Sequence, residues 1–201
     1  VTGLGRLREH PEIARLAERI ASHKPAEANE TKARRAAVAL LLRLSPETTH
    51  PEIFFIQRAH YETDPWSGQI AFPGGREEPG DLSLVDTAMR ETWEETAIDI
   101  RRHGEILGAL DDLPPMSVRL PAVVVRPYVV LLGEHSEPVL SNEVAAGFWV
   151  PLTSFRDSSA WRDALVTARG IEFTRRAFHH EEFVIWGMTE RILSHFLALT
   201  T

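Results

Sequence analysis

The chain contains no cysteine. That excludes disulfides, thiolate nucleophiles and cysteine-ligated zinc or iron–sulfur centres, and it suits a cytoplasmic location. Lysine is almost as scarce, with only Lys24 and Lys32, and the arginine doublets Arg34–Arg35, Arg101–Arg102 and Arg175–Arg176 are scattered. Acidic residues outnumber basic ones 29 to 22, for a formal charge of −7. A long nucleic acid is therefore not an expected partner, because phosphate neutralisation supplies most of that affinity. A small anionic substrate needs only one local positive site, so the acidity does not argue against one. Long apolar runs are also missing. Residues 121–132 form the longest, and Arg126 and Pro127 break it; a bilayer span needs roughly 20 apolar residues. The first dozen residues lack the apolar segment of a secretory signal, so no membrane partner is expected.

What is present is ordinary for a folded protein: 201 residues, 43% apolar and 25% charged, enough for one α/β domain with an appendage. We divide the chain into an N-terminal helix and linker (1–33) and a main domain (34–201). In residues 4–21, Leu7, Ile13, Leu16, Ala17 and Ile20 recur at helical spacing, with Pro11 marking a second start. Residues 36–44 and 52–59 read as two strands joined by a turn. Residues 60–81 form a long loop rich in glycine and proline, and such loops are usually functional or disordered. A helix follows over 82–96, with Asp81 or Ser83 able to cap it and Asp86 completing a capping box with Ser83. Residues 105–110 and 118–132 read as strands, and 143–155 as a strand or short helix ending in a turn. A polar loop surrounds Trp161. The C-terminal helix carries Ile185, Met188, Ile192, Leu193 and Phe196 at helical spacing. Without strict βαβ alternation, the class is α/β or α+β around a mixed sheet.

The chemistry concentrates in Arg90-Glu91-Thr92-Trp93-Glu94-Glu95. On a helix, Glu91 lies one turn from both Glu94 and Glu95, so their carboxylates share one edge. Taken alone, such a cluster is most often a solvated face. Like charges this close destabilise a helix unless something compensates, and a hard divalent cation with oxygen ligands is the natural candidate. Arg90 stands ready to orient one carboxylate through a two-pronged hydrogen bond. Phe72-Pro73-Gly74-Gly75 leads into the helix, and glycine there permits close backbone approach to an ion or phosphate.

Gly75 followed by Arg90-Glu91-x-x-Glu94-Glu95, Ala97 and Ile98 resembles the Nudix box, G-x5-E-x7-R-E-U-x-E-E-x-G-U, where U is aliphatic. The glycine-to-arginine spacing is one residue longer than the pattern, so its first glutamate has no counterpart, with Glu78 or Asp81 as stand-ins. Thr92 occupies an aliphatic slot and Ala97 the place of a glycine. The run FPGGREEPGD is similar to the branch that hydrolyses coenzyme A and its derivatives. Residues 54–59 and 68–75 match the ends of that branch's upstream signature; in its middle, Thr63 or Asp64 stands near a missing arginine. Residues 107–115, 142–144, 148–152 and 185–189 also look like that branch.

This resemblance implies a Nudix-type α/β/α sandwich with a mixed β-sheet and a loop–helix–loop metal site. It implies hydrolysis of a pyrophosphate bond in a small nucleoside-diphosphate-linked molecule, with Mg2+ or Mn2+ as cofactor. Glu91 and Glu95 are the implied metal ligands, Glu94 a further one directly or through water, and the Gly75 (or Gly74) carbonyl an additional oxygen. Arg90 would hold the carboxylates. The general base is one of the box glutamates or Glu143, which equally reads as an exposed strand-end residue. Arg58, Gly68 and Gln69 fall where the coenzyme A branch contacts substrate. Trp66 is either a stacking platform or a local anchor. His179 and His180 are adjacent on a strand and point to opposite faces, which argues against a metal pair. Competing substrates are ADP-ribose, NADH, dinucleoside polyphosphates and oxidised nucleotides, and a non-catalytic nucleotide-binding module is the alternative from another class. A homodimer packed through the N-terminal helix is compatible with the pattern.

Overall fold

Strand β1 (Arg34–Leu44) organises the molecule, because its residues alternate between two buried faces. Ala36, Leu40 and Leu42 belong to one apolar cluster, and Ala37, Ala39 and Leu41 to the other. The computed structural model describes residues 3–30, 32–61, 66–114, 122–133, 137–168 and 170–200. The same two-faced burial explains the near-continuous apolar runs of β2 (Pro51–Arg58) and β6 (Val123–Leu132). Ile53 and Phe55 face the first cluster; Phe54 and Ile56 face the second.

Helices cover both faces. On the first lie α1 (Gly3–Glu9), α2 (Pro11–Ser22) and α5 (Gly187–Thr200), whose Leu7, Ile13, Leu16, Ile20, Ile192, Leu193 and Phe196 join the first cluster. On the second lie α3 (Leu84–Thr96) and α4 (Ile100–His103), with Ala88 and Ile100 fully buried there. The result is an α/β/α sandwich. Among the described residues, no helix is long and apolar enough to cross a membrane.

The sheet between them is mixed. β1 runs parallel to β6 on one side. On its other side it pairs antiparallel first with β4 (Gly74–Arg76) and then with β2. β3 (Ile70–Ala71) and β7 (Val144–Pro151) flank β2, and β5 (Gly104–Ala109) lies beyond β6. Because β4 takes over the edge that β2 leaves, the chain is delivered from the sheet interior straight toward α3.

Several expectations need correction. The long loop of 60–81 contains β3 and β4, too short to carry a periodic signal. The polar loop around Trp161 is instead β8 (Trp161–Ala168), the first strand of a second antiparallel sheet with β9 (Ile171–His180) and β10 (Phe183–Trp186). Most of β9 is exposed until Ala177 and Phe178, so half the usual apolar alternation is missing. Ile185 sits on β10 opposite Phe178, not on the C-terminal helix. Gly187, at φ +70°, turns the chain from strand into α5. The four-residue α4, capped by the Asp99 side chain accepting from the Arg102 amide, is too short for periodicity to reveal.

Candidate active site

Helix α3 begins where its sequence says it should. Ser83 accepts from the Asp86 amide and donates from its hydroxyl to the Asp86 carboxylate, which is one half of a capping box. The helix ends at Ala97, in the left-handed region at φ +54°, with its N–H on the Trp93 carbonyl. That conformation strains any residue with a Cβ, and it is where the resembled pattern places glycine. Thr92, in the aliphatic slot, is fully buried, and its hydroxyl is satisfied by the Ala88 carbonyl at 2.7 Å.

The box residues divide sharply by environment. Glu95 is buried; its Oε2 accepts from the Gly74 amide at 2.9 Å, and Arg58 Nη1 lies 3.9 Å from its Oε1. Burial pushes its carboxyl up to about 7, against the Gly74 hydrogen bond and the Arg58 charge, with the charges of Glu91 and Glu143 adding to the rise. Glu91 is half-buried and is also raised, first by desolvation and then by Glu94 and Glu78, while Arg90 opposes. Glu94 projects into solvent. Gly75 carries no side chain for a steric reason: a methyl group there would overlap the Glu91 carboxylate. At Gly74, with φ +153°, a Cβ would collide with the backbone of Ala37 and Val38.

Arg90 does not fork onto a box glutamate as expected. Its Nε and Nη2 grip Asp81 at 3.0 Å each, and Nη2 also donates to the Arg76 carbonyl. Nη1 reaches Glu91 at 2.9 Å and Glu94 at 3.2 Å. Asp81 further accepts from the Thr87 hydroxyl and the Glu78 amide. The Arg90 guanidinium is the main reason its carboxyl lies well below the usual range. With both oxygens engaged, Asp81 anchors Arg90 and is not free to replace the missing first glutamate. This anchoring was not foreseen, because the extra residue in the spacing placed Asp81 off the pattern. Glu78 stands close enough for its charge to act on Glu91.

Glu143 is exposed at the mouth of the site, its carbonyl accepting from the Ala59 amide. It sits next to Val144, which pairs with Arg58 at a bulge between β7 and β2. The Arg58 amide donates to the Gln69 carbonyl, and Gln57 Nε2 to the Gly68 carbonyl. Arg58 thus links Glu95 to the turn at Gly68 and Gln69, and Glu143 stands close enough for its charge to act on Glu95. Gly68, at φ +71°, and Gln69 also line a cleft of about 310 Å³ closed on its far side by Leu165, Thr167, Phe183 and Trp186 of the second sheet. Nothing in the sequence had tied that hairpin to the site. Trp66 is half-buried, its carbonyl accepting from the Gln69 amide. Thr63 and Asp64 lie outside the described residues. His180 stacks near Phe148 and Phe178, in keeping with its separation from His179. Among the described residues, the three box glutamates do not bring a trio of carboxylate oxygens within 4.8 Å of one another.

The model of the Nudix domain family matches residues 33–170. The uncharacterized Nudix hydrolase NudL of Yersinia pestis is 33% identical over 164 residues, covering 81% of this chain and 77% of that protein. An uncharacterized protein of Schizosaccharomyces pombe is 38% identical over 53% of this chain, which spans only 34% of that longer protein. Among solved structures, a MutT/nudix family protein from Enterococcus faecalis superimposes with a TM-score of 0.56 at 22% identity, covering 86% of this chain and 64% of that one. An Ap4A hydrolase from C. elegans gives 0.51 at 21% identity, covering 61% of this chain and 83% of its own. These two likenesses speak to the fold. Taken with the match over 33–170 and the Yersinia relative, they place this α/β/α sandwich and its box in one lineage: the chain belongs to the Nudix family.

Proposed function

We propose that this protein is a divalent-cation-dependent pyrophosphohydrolase acting on a nucleoside-diphosphate-linked small molecule, with coenzyme A and its derivatives as the leading substrate class. The observation that carries the reading is the state of Glu91 and Glu95. Two carboxylates are withdrawn from water beside Gly74 and Gly75, and both are held above their ordinary pKa first by desolvation and then by the charges of neighbouring carboxylates. Folding does not relieve that cost internally, and a hard cation with oxygen ligands would. The donor set therefore fits Mg2+ or Mn2+.

Glu91 and Glu95 would hold the cation, Glu94 would contribute from the solvent side, and the Gly75 carbonyl is available at the same edge. When bound, such an ion supplies charge shielding on the phosphate oxygens and acidification of the attacking water. Arg90 acts as a positioning residue, since Asp81 fixes its plane and it in turn steadies Glu91. For the proton, Glu143 and the box glutamates are the groups within reach of the site, and geometry with substrate bound decides among them. Arg58 would offset phosphate charge, and the backbone at Gly68 and Gln69 would orient the substrate. The coenzyme A reading is supported by the run FPGGREEPGD, and the cleft lined by Gln57, Gln69, Phe183 and Trp186 would take the arm of the substrate beyond the pyrophosphate.

The test is product analysis of coenzyme A, ADP-ribose, NADH and a dinucleoside tetraphosphate, incubated with protein and Mg2+ or Mn2+. Coenzyme A is expected to yield 4′-phosphopantetheine and 3′,5′-ADP. Cleavage of the other compounds alone would retain the hydrolase and discard the coenzyme A assignment. Binding of these nucleotides without turnover would favour a non-catalytic module.

A further inference from the structure

On the sheet face opposite α3, three residues distant in sequence converge. His23 caps the C-terminal end of α2, with its amide on the Arg19 and Ile20 carbonyls. Asp111 follows β5, and His195 lies on α5. His23 Nε2 is 2.9 Å from Asp111 Oδ1, and His195 Nε2 is 3.6 Å from Oδ2. The two rings meet edge to face at 5.7 Å. Each residue offers a ligand atom, and these atoms lie within 4.8 Å of one another. All three side chains are partly exposed, so ions and water can reach them.

We propose that His23, Asp111 and His195 form a second cation site, one suited to Zn2+ and similar borderline transition ions, that clamps the end of α2 and the segment after β5 onto α5. Two imidazole nitrogens and one carboxylate oxygen are the donor set of such ions, whereas Mg2+ prefers all-oxygen surroundings. Bonds of about 2.0–2.2 Å require only modest side-chain rotation from the observed spacing, and three protein ligands leave a position for water. The carboxylate is presented by a built support. The Ala26 amide donates to Asp111 Oδ1 at 2.8 Å. Its neighbour Asp112 accepts from Arg126 Nε at 2.7 Å, Arg126 Nη2 at 3.0 Å and the Ala28 amide at 3.0 Å, which immobilises the segment. Such outer hydrogen bonds orient a metal-binding carboxylate.

The site is separate from the box, since α2 and α5 pack into one apolar cluster and α3 into the other. Its test therefore uses the full chain carrying Glu91→Gln and Glu95→Gln, titrated with Zn2+ by calorimetry and with Co2+ by visible absorption. One equivalent is expected to bind, and His23→Gln or His195→Gln should weaken it at least tenfold, in the range of a lost ligand or supporting group. Zn2+ at a hundredfold above its Kd should raise Tm by about 5–10 °C, an increment cut to about half or less in the histidine variants at the same Zn2+ concentration. No binding in the double-glutamine background, or binding indifferent to both histidine substitutions, would overturn the proposal. Should those variants not fold, imidazole NMR of the unsubstituted protein decides. Zn2+ shifting both His23 and His195 supports the site, and shifting neither removes it.

Discussion

The two ends of α3 handle negative charge in opposite ways. At its start, Asp81 receives four hydrogen bonds, from Arg90 twice, Thr87 and Glu78, and its carboxyl is held well below its ordinary value. Near its end, Glu95 is more deeply buried yet receives only one amide and a guanidinium at 3.9 Å, and its carboxyl rises to about 7. Less than four turns of helix separate a compensated carboxylate from an uncompensated one. A charge that folding satisfies stabilises the scaffold; a charge that folding leaves in deficit marks a candidate functional position.

The largest effect should come from removing the uncompensated charges. Glu91→Gln and Glu95→Gln are each expected to lower turnover of the pyrophosphate substrate by about 10³-fold, roughly 4 kcal/mol of transition-state stabilisation. Glu94→Gln, at the solvent-exposed position, should lose about tenfold or less. Equal losses at all three positions, measured by product release, would erase the distinction between buried and exposed members of the box.

Asp81→Asn attacks the compensated end. It leaves the Arg90 guanidinium short of its main partner, and an unfolding free energy lower by about 2–3 kcal/mol is expected in urea titration. Because Arg90 also steadies Glu91, kcat should fall while KM changes little. An unchanged stability would show that Asp81 anchors nothing.

The two ends should also differ in their pH response. In the metal-free protein the folded pKa of Glu95, about 7, exceeds its ordinary value of 4.5. The native state then binds more protons than the unfolded state between those values, so stability falls as pH rises through that window. Glu95→Gln abolishes the penalty. It is expected to stabilise the metal-free protein by about 1–3 kcal/mol at pH 8 and by nothing measurable at pH 4. Thermal melts at the two pH values with a chelator present check this, and a destabilised variant at pH 8 would contradict it.

The smallest effect concerns the helix end. Ala97 lies in the left-handed region, where a Cβ costs about 1–2 kcal/mol, offset in part by the unfolded-state entropy of glycine. Ala97→Gly should therefore stabilise by about 0.5–1 kcal/mol in denaturant melts with activity intact.

Much of this organisation was legible in local pattern. The i, i+3, i+4 spacing of Glu91, Glu94 and Glu95 sets them on one helix edge, Ser83 caps that helix, and Pro11 divides the N-terminal helical segment, because helix geometry depends on near neighbours. The β8–β9 hairpin was not legible, since its solvated strands lack the apolar alternation by which a strand is recognised. Ile185 misled for a related reason: its spacing to Met188 suits a helix, but Gly187 breaks the chain between them.

By itself, then, the sequence determined the box, its helix and the family, all of which depend on residues within one short span. The tertiary structure alone decided which carboxylates lie in water-poor surroundings, that Arg90 spends its fork on Asp81, and that the second sheet closes the cleft. It alone brought His23 to Asp111 and His195 across the fold. Desolvation and long-range contact arise only when distant segments pack, and no local spacing encodes them.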